Sequence, residues 1–186
     1  MQCVGVLALQ GSFAEHLHSL SDIGVKALVV QNKADLERVD RLIIPGGEST
    51  TIGKILRDTE LFYPLKEKIQ NGMPVWGTCA GCILLAKQVQ SGVPQLECMN
   101  IRVERNAYGS QLDSFSTQEM IPVISNKLLN LIFIRAPKIR SVFGHAQVLC
   151  QVRGEIVAVR ENSMFVTTFH PELADGGDFH QYFLQI

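Results

Sequence analysis

The chain predicts an α/β domain with a mostly parallel, doubly wound sheet. Two observations carry this. Through the first 45 residues, short apolar runs alternate with segments of helical period. Glycine-rich turns then stand directly after two of the apolar runs. A β-α-β alternation is the pattern of parallel strands joined by crossover helices.

Cys3–Leu9 is a continuous apolar run rich in β-branched residues, which reads as a buried first strand. Gln10-Gly11-Ser12 breaks it, and Ser12 is suited to cap the next segment. Phe13, Leu17, Leu20 and Ile23 recur at helical spacing up to Gly24, a C-cap residue. Val25–Val30 is the second strand, Ala34–Val39 a short helix or turn, and Arg41–Ile44 the third strand. Pro45-Gly46-Gly47-Glu48-Ser49-Thr50 follows at once, with Ser49 or Thr50 as the expected cap of the next helix. Thr51–Arg57 and Leu61–Gln70 read as helices, and Gly72-Met73-Pro74 leads into a fourth strand.

After Lys87 the pattern changes. Ser91–Leu96 reads as a loop. Met99–Arg105 and Gln111–Thr117 alternate, and Asn106-Ala107-Tyr108-Gly109 between them suggests a hairpin. Leu131–Ile134, Ile139–Val142, Ala146–Val152, Ile156–Arg160 and Met164–Phe169 are further short strands, expected to be mostly antiparallel. Phe179–Leu184 is a short final helix. No internal repeat or linker divides the chain, so residues 1–186 are read as one domain.

The stretch of chemical interest is Pro74-Val75-Trp76-Gly77-Thr78-Cys79-Ala80-Gly81. It has the form G-x-C-x-G between a strand and a helix, the form of a nucleophile elbow with Cys in place of Ser. Small neighbours let the backbone turn sharply, so that the central side chain projects from the tip. A thiol at a helix N-terminus meets unpaired N–H groups that favour its anion. The alternative is a small buried Cys in a tight turn.

A Cys nucleophile needs a base, and the base needs an orienting acceptor. Phe169-His170-Pro171-Glu172 comes straight off the last strand. His170 can take the thiol proton, and Glu172 can reach its other ring nitrogen. His16 and His18 fall on a helix face read as solvated, and His145 and His180 have no carboxylate at comparable spacing. Beyond the third strand, Gly46 and Gly47 allow backbone N–H groups to approach a carbonyl; the Gly47 N–H with that of Ala80 would form an oxyanion hole. All these segments lie at carboxyl ends of strands, where open α/β sheets bind ligands.

Bulk properties exclude several classes. The chain has 46% hydrophobic and 19% charged residues and a net charge of −1, so no basic footprint points to nucleic acid or an anionic membrane. No apolar run reaches the length of a membrane span. The N-terminus lacks a basic region and continues as a strand, so it does not read as a signal peptide. Five scattered cysteines do not make a disulfide framework; a reducing, cytoplasmic setting fits.

Taken together, Gly77-Thr78-Cys79-Ala80-Gly81, Phe169-His170-Pro171-Glu172 and Pro45-Gly46-Gly47-Glu48-Ser49-Thr50-Thr51 resemble the class I (triad) glutamine amidotransferases. Gly5-Val6-Leu7-Ala8-Leu9-Gln10-Gly11, Val103-Glu104-Arg105-Asn106, Asp113-Ser114-Phe115 and Phe133-Ile134-Arg135-Ala136-Pro137 narrow the resemblance. They point to the branch of glutaminase subunits of pyridoxal 5′-phosphate synthase (PdxT type). The resemblance runs nearly end to end. It implies a flavodoxin-like fold with helices on both faces of the sheet and an antiparallel extension. It implies a triad of Cys79, His170 and Glu172, and glutamine contacts at Gly47, Glu48, Ser49, Arg105, Ile134 and Arg135.

The implied reaction is L-glutamine + water → L-glutamate + ammonia, with no metal or cofactor. The ammonia would pass to a PdxS-type synthase subunit. Arg105 and Arg135 suit the substrate carboxylate, and Glu48 its ammonium; otherwise the two arginines mark only strand exits to solvent. The rival readings are a glutaminase serving another synthase, such as imidazole glycerol phosphate synthase, and a DJ-1-like redox or chaperone protein. One departure from the branch is Cys82 where an aliphatic residue is usual, which creates a C-x-x-C with Cys79. Cys82, like Cys3, Cys98 and Cys150, reads most simply as a core residue.

Overall fold

A computed structural model describes residues 3–105 and 114–186. The first part runs β1 (Val4–Leu7), α1 (Phe13–Asp22), β2 (Ala27–Val30), α2 (Lys33–Leu36), β3 (Arg41–Ile44), α3 (Ser49–Asp58), α4 (Phe62–Gln70), β4 (Val75–Thr78) and α5 (Ala80–Leu85). The second runs β5 (Ala86–Gln90), β6 (Met99–Glu104), β7 (Phe115–Met120), β8 (Leu128–Phe133), β9 (Lys138–Val142), β10 (Gln147–Val152), β11 (Glu155–Glu161) and β12 (Met164–Thr167). A 3₁₀ turn at Pro171–Leu173 and α6 (Asp178–Leu184) complete it.

The main sheet has the order β2-β1-β3-β4-β12-β11-β9-β6-β5, with β10 paired to β11. Strands β2, β1, β3 and β4 are parallel neighbours, which is the expected parallel core, and β12 joins it parallel to β4. The pairings of β11 with β12, β9 and β10, and of β6 with β9, are antiparallel and form the extension.

Alternation along the parallel strands divides the core between two faces. Leu42, Ile44, Val75 and Val166 pack with Leu36, Ile52, Leu56, Leu65 and Leu84, so α2 to α5 cover one face. Val4, Ile43, Trp76 and Phe165 pack with Leu20, Phe179 and Phe183, so α1 and α6 cover the other. Leu129, Leu131 and Phe133 of β8 join that second face. Helices therefore lie on both sides of the sheet, as the sequence predicts.

Three expectations are corrected. The hairpin between Met99–Arg105 and Gln111–Thr117 does not form: β6 pairs with β5 and β9, and β7 pairs with β8 in a separate two-stranded sheet. Met99, Ile101 and Val103 are fully buried on one side of β6, which demands a place inside the large sheet. β7 is only half-buried on alternate residues and lies over the second face. The Asn106-Ala107-Tyr108-Gly109 break, Gln111 and Asp113 lie outside the described residues. Strand β12, read from the sequence with the antiparallel strands, pairs parallel to β4 along its whole length. And α3 is capped by Glu48, not by Ser49 or Thr50: its carboxylate accepts the N–H groups of Thr50 and Thr51, at 3.2 and 2.7 Å. An anion at the first turn also suits the helix dipole.

Candidate active site

The site is built on the elbow between β4 and α5. Cys79 has φ +47° and ψ −100°, a conformation that costs a non-glycine residue free energy and persists only when neighbours fix it. Here the Cys79 N–H donates to the Thr167 carbonyl of β12 at 2.8 Å, and its own carbonyl accepts the Cys82 N–H at 3.1 Å. The flanking glycines have a steric cause. A β-carbon on Gly77 would lie 2.5 Å from the Gly81 carbonyl carbon, and one on Gly81 would overlap the Ile44 carbonyl oxygen. G-x-C-x-G is thus the spacing that lets the first turn of α5 sit on β3 and β4.

His170 follows β12 by three residues. Its N–H donates to the Ile132 carbonyl at 2.8 Å, tying the loop to β8. The 3₁₀ turn begun by Pro171 then brings Glu172 back under the ring, where Oε1 lies 2.7 Å from Nδ1. The Cys79 side chain lies beside the ring, since one carbon added to Gly46 would meet both. Burial alone would lower the His170 pKa, but the neighbouring Cys79 and Glu172 raise it well above its ordinary value. Glu172 shifts the other way. Burial works against its charge, yet the bonds from His170 and Ser12 and the nearby imidazoles hold it below the usual carboxylate range. The arrangement favours an imidazolium at His170 paired with the Glu172 anion.

A cavity of about 420 Å³ opens over Cys79 and His170. Gly47, Glu48, Ser49, Ala80, Arg105, Ile134 and Arg135 all line it, so every cavity residue singled out from the sequence comes to one place. Glu172 stands behind His170, buried. Arg105 pairs with Glu48 at 3.0 Å across the rim. Burial opposes the charge of Glu48, but hydrogen bonds from Thr50 and Thr51 pull its pKa down to about 2. Arg135 sits at φ +45°, a left-handed residue directly after Ile134.

The turn after β1 contributes residues that the sequence reading passed over. Gln10 and Ser12 line the cavity. The Gln10 side-chain carbonyl accepts the Glu48 N–H at 2.8 Å, and the Ser12 N–H donates to the Gly46 carbonyl at 3.0 Å. Ser12 occupies the N-cap position of α1 but makes no side-chain cap bond. Its hydroxyl donates instead to Glu172 Oε1 at 2.6 Å. The rule that placed the other loops at strand ends applies equally to Gln10-Gly11-Ser12 and could have found them.

His16 is the clearest correction. It is fully buried, not solvated. Its Nε2 lies 3.2 Å from Thr78 Oγ1 and 3.5 Å from Glu172 Oε2, and its Nδ1 lies 3.0 Å from His180 Nε2. The signal was present: His16 falls three residues after Phe13 and four before Leu20, inside the apolar stripe of α1. His18 and His145 are exposed. Cys82 is buried in α5, and burial followed by the nearby Cys79 charge pushes its thiol pKa up. All five cysteines are free. Among the described residues, no group of three or more His, Cys, Asp or Glu is disposed to hold a metal ion, and no helix is long and apolar enough to cross a membrane.

The chain belongs to the SNO glutamine amidotransferase family, whose pattern matches residues 6–186. It is 50% identical over 184 residues to the pyridoxal 5′-phosphate synthase subunit PdxT of Clostridium acetobutylicum, covering 98% of this chain and 99% of that one. It is 47% identical over 182 residues to the subunit of the same name from Clostridium kluyveri, covering 97% of each. A solved glutamine amidotransferase is similar in structure, with a TM-score of 0.92, 39% identity, and coverage of 98% of this chain and 97% of that one. PurLQS from Thermotoga maritima, at 17% identity and a TM-score of 0.65, shares the fold. The redox and chaperone reading of the elbow Cys is set aside by this family membership.

Proposed function

We propose that this chain, acting as one catalytic unit, hydrolyses L-glutamine to L-glutamate and ammonia through Cys79, His170 and Glu172. The ammonia would go to a PdxS-type synthase subunit for pyridoxal 5′-phosphate formation. The observation that carries the reading is Cys79 beside a His170 ring hydrogen-bonded to Glu172, beneath a cavity lined by two arginines.

The Cys79 thiolate attacks the side-chain amide carbonyl of glutamine. The oxyanion forms beside the N–H groups of Gly47 and Ala80. His170 gives a proton to the departing nitrogen, the C–N bond breaks, and ammonia leaves a thioester on Cys79. His170 then takes a proton from water, whose oxygen attacks the thioester; the C–S bond breaks and glutamate departs. Glu172 orients the ring and stabilises its charged form. Arg135 receives the substrate α-carboxylate, with Ile134 against its methylenes. Ser49, Arg105 and Glu48 complete the rim, where Glu48 remains an anion able to face the α-ammonium. Hydrolysis on this route needs no metal or cofactor, and the free thiols suit a reducing cytoplasm.

Coupling to the synthase has a physical route. The Gly46 carbonyl is held by the Ser12 N–H. Rotating the Gly46–Gly47 peptide would break that bond and turn the Gly47 N–H relative to the oxyanion position. One lost donor of this kind costs about 10²–10³ in rate, enough for a switch. Measuring glutaminase rates with and without a saturating PdxS-type subunit tests the assignment of the partner. Strong activation is expected, and equal rates would remove both switch and partner. A partner of the imidazole glycerol phosphate synthase type activating in its place would support the other glutaminase reading.

A further inference from the structure

Glu172 has two carboxylate oxygens with unequal surroundings. Oε1 takes hydrogen bonds from both His170 and Ser12. Oε2 is buried with no hydrogen-bond partner among the described residues. A buried carboxylate oxygen without compensation is costly, so the groups beside it matter. The group beside it is His16, whose Nε2 lies 3.5 Å away. That same nitrogen meets the hydroxyl of Thr78, the residue before Cys79. Behind His16, His180 closes the line at 3.0 Å, and the Trp76 ring packs edge-on against both imidazoles.

Proton placement in this line can be decided by elimination. If His16 carried its proton on Nδ1, a bare Nε2 lone pair would face the Glu172 anion. His180 would then accept on Nε2 and bury an Nδ1–H with no partner, since that atom has none. With the proton of His16 on Nε2, an N–H dipole faces Oε2 and the Thr78 oxygen. His180 then donates from Nε2, and only an acceptor is left unpaired at its Nδ1. The second arrangement removes a repulsion and spares a buried donor.

We propose that His16 and His180 are positioning residues for the reaction. His180 fixes the tautomer of His16, and His16 directs an N–H at the second oxygen of Glu172 while touching the strand that carries Cys79. The inference rests on the Cys79–His170–Glu172 reading above and extends it two residues inward. Both rings are held neutral: burial first, then the neighbouring imidazoles, lower His16 to about 4 and His180 to about 3 despite the raising effect of Glu172. The line therefore passes no proton. It holds one tautomer and fixes the direction of the Glu172 carboxylate, which in turn aims His170.

Two measurements test this. Long-range ¹H–¹⁵N correlation on histidine-labelled protein reads the tautomers directly and needs no variant. Both His16 and His180 are expected as neutral Nε2–H rings; an Nδ1–H tautomer at His16 would overturn the proposal. The second compares His16→Gln with His16→Asn in steady-state glutamine hydrolysis. Gln can set an amide N–H near the position of Nε2, whereas Asn reaches only the position of Nδ1. His16→Asn should lower kcat about tenfold with KM unchanged, and His16→Gln should recover it to within about threefold of wild type. Equal kcat for the two variants, or wild-type kcat in His16→Asn, contradicts the role. Cys79→Ala assayed alongside separates the two levels. If it stays active, the triad reading fails. If it is dead while His16→Asn matches wild type, only this inference fails.

Discussion

Gly46 lies so close to the His170 ring that a β-carbon added to it would come within 2.5 Å of Cε1 and 3.1 Å of Nδ1. The ring is not free to move, because Glu172 holds Nδ1 at 2.7 Å. The same added carbon would touch Cys79 Cβ at 3.4 Å. The glycine after β3 is therefore required by the base as well as by the turn. Gly46→Ala should cut glutamine hydrolysis by about 10² or more through misalignment of His170, a displacement of about 1 Å being enough. Far-ultraviolet circular dichroism should stay unchanged. Wild-type hydrolysis by Gly46→Ala would mean that the His170 position is not critical.

The partners of His170 should rank unequally. His170→Asn removes the proton carrier and should be nearly as damaging as loss of Cys79. Glu172→Gln should be milder, since the Ile132 carbonyl still holds the His170 backbone and Ser12 can still bond to the side chain. Steady-state rates for the two variants check this. Both within a fewfold of wild type would place the base elsewhere.

Most of the site could be read from the chain because it comes from strand ends. Gly46, Cys79 and His170 each follow an apolar run within a few residues, and a parallel sheet brings such ends to one edge. The lateral order was less legible. Met99–Arg105 and Gln111–Thr117 alternate like a hairpin, but pairing depends on which faces find cover, and that is settled by residues far along the chain. The inner layer is not legible for a related reason. The polarity of His16 suggests a solvated residue, although its position on the Phe13–Leu20 stripe makes it a core residue. Ser12 reads locally as a cap, although Glu172, 160 residues away, takes its hydroxyl. Long-range polar partners of this kind leave no local pattern.

Stability should depend on pH through the same layer. His16 and His180 have lowered pKa values, about 4 and about 3, so the unfolded chain binds protons that the folded one refuses as pH falls below about 6.5. Their contribution is present above that value and is lost on acidification, by up to about 1.4 kcal/mol per pH unit for each ring. Glu172, whose pKa is also lowered, adds its loss only below its ordinary value. His170 is raised, so its contribution is complete below about 6.5 and is lost as pH rises. Urea midpoints should therefore peak near pH 6.5 and fall on both sides. His180→Gln should flatten the acid limb. An acid limb unchanged by that substitution would show that His180 is not a buried neutral ring.

Arg135 tests the substrate end of the cavity. Its side chain is assigned to the α-carboxylate, far from the bond that breaks, so Arg135→Ala should act on binding rather than on chemistry. An increase of about tenfold in KM with kcat nearly constant is expected, the loss of one charge-assisted contact. An unchanged glutamine dependence would remove Arg135 from the substrate site.

The central claim is that the Cys79 sulfur forms the thioester, and its removal is the most direct measurement. Ala fits the elbow, so Cys79→Ala should keep the fold and its urea midpoint while glutamine hydrolysis falls to background. In the wild-type chain, a glutamine-mimicking electrophile should label Cys79 alone among the five cysteines, because of the five only Cys79 lines the cavity. Substantial hydrolysis by folded Cys79→Ala protein would contradict the account.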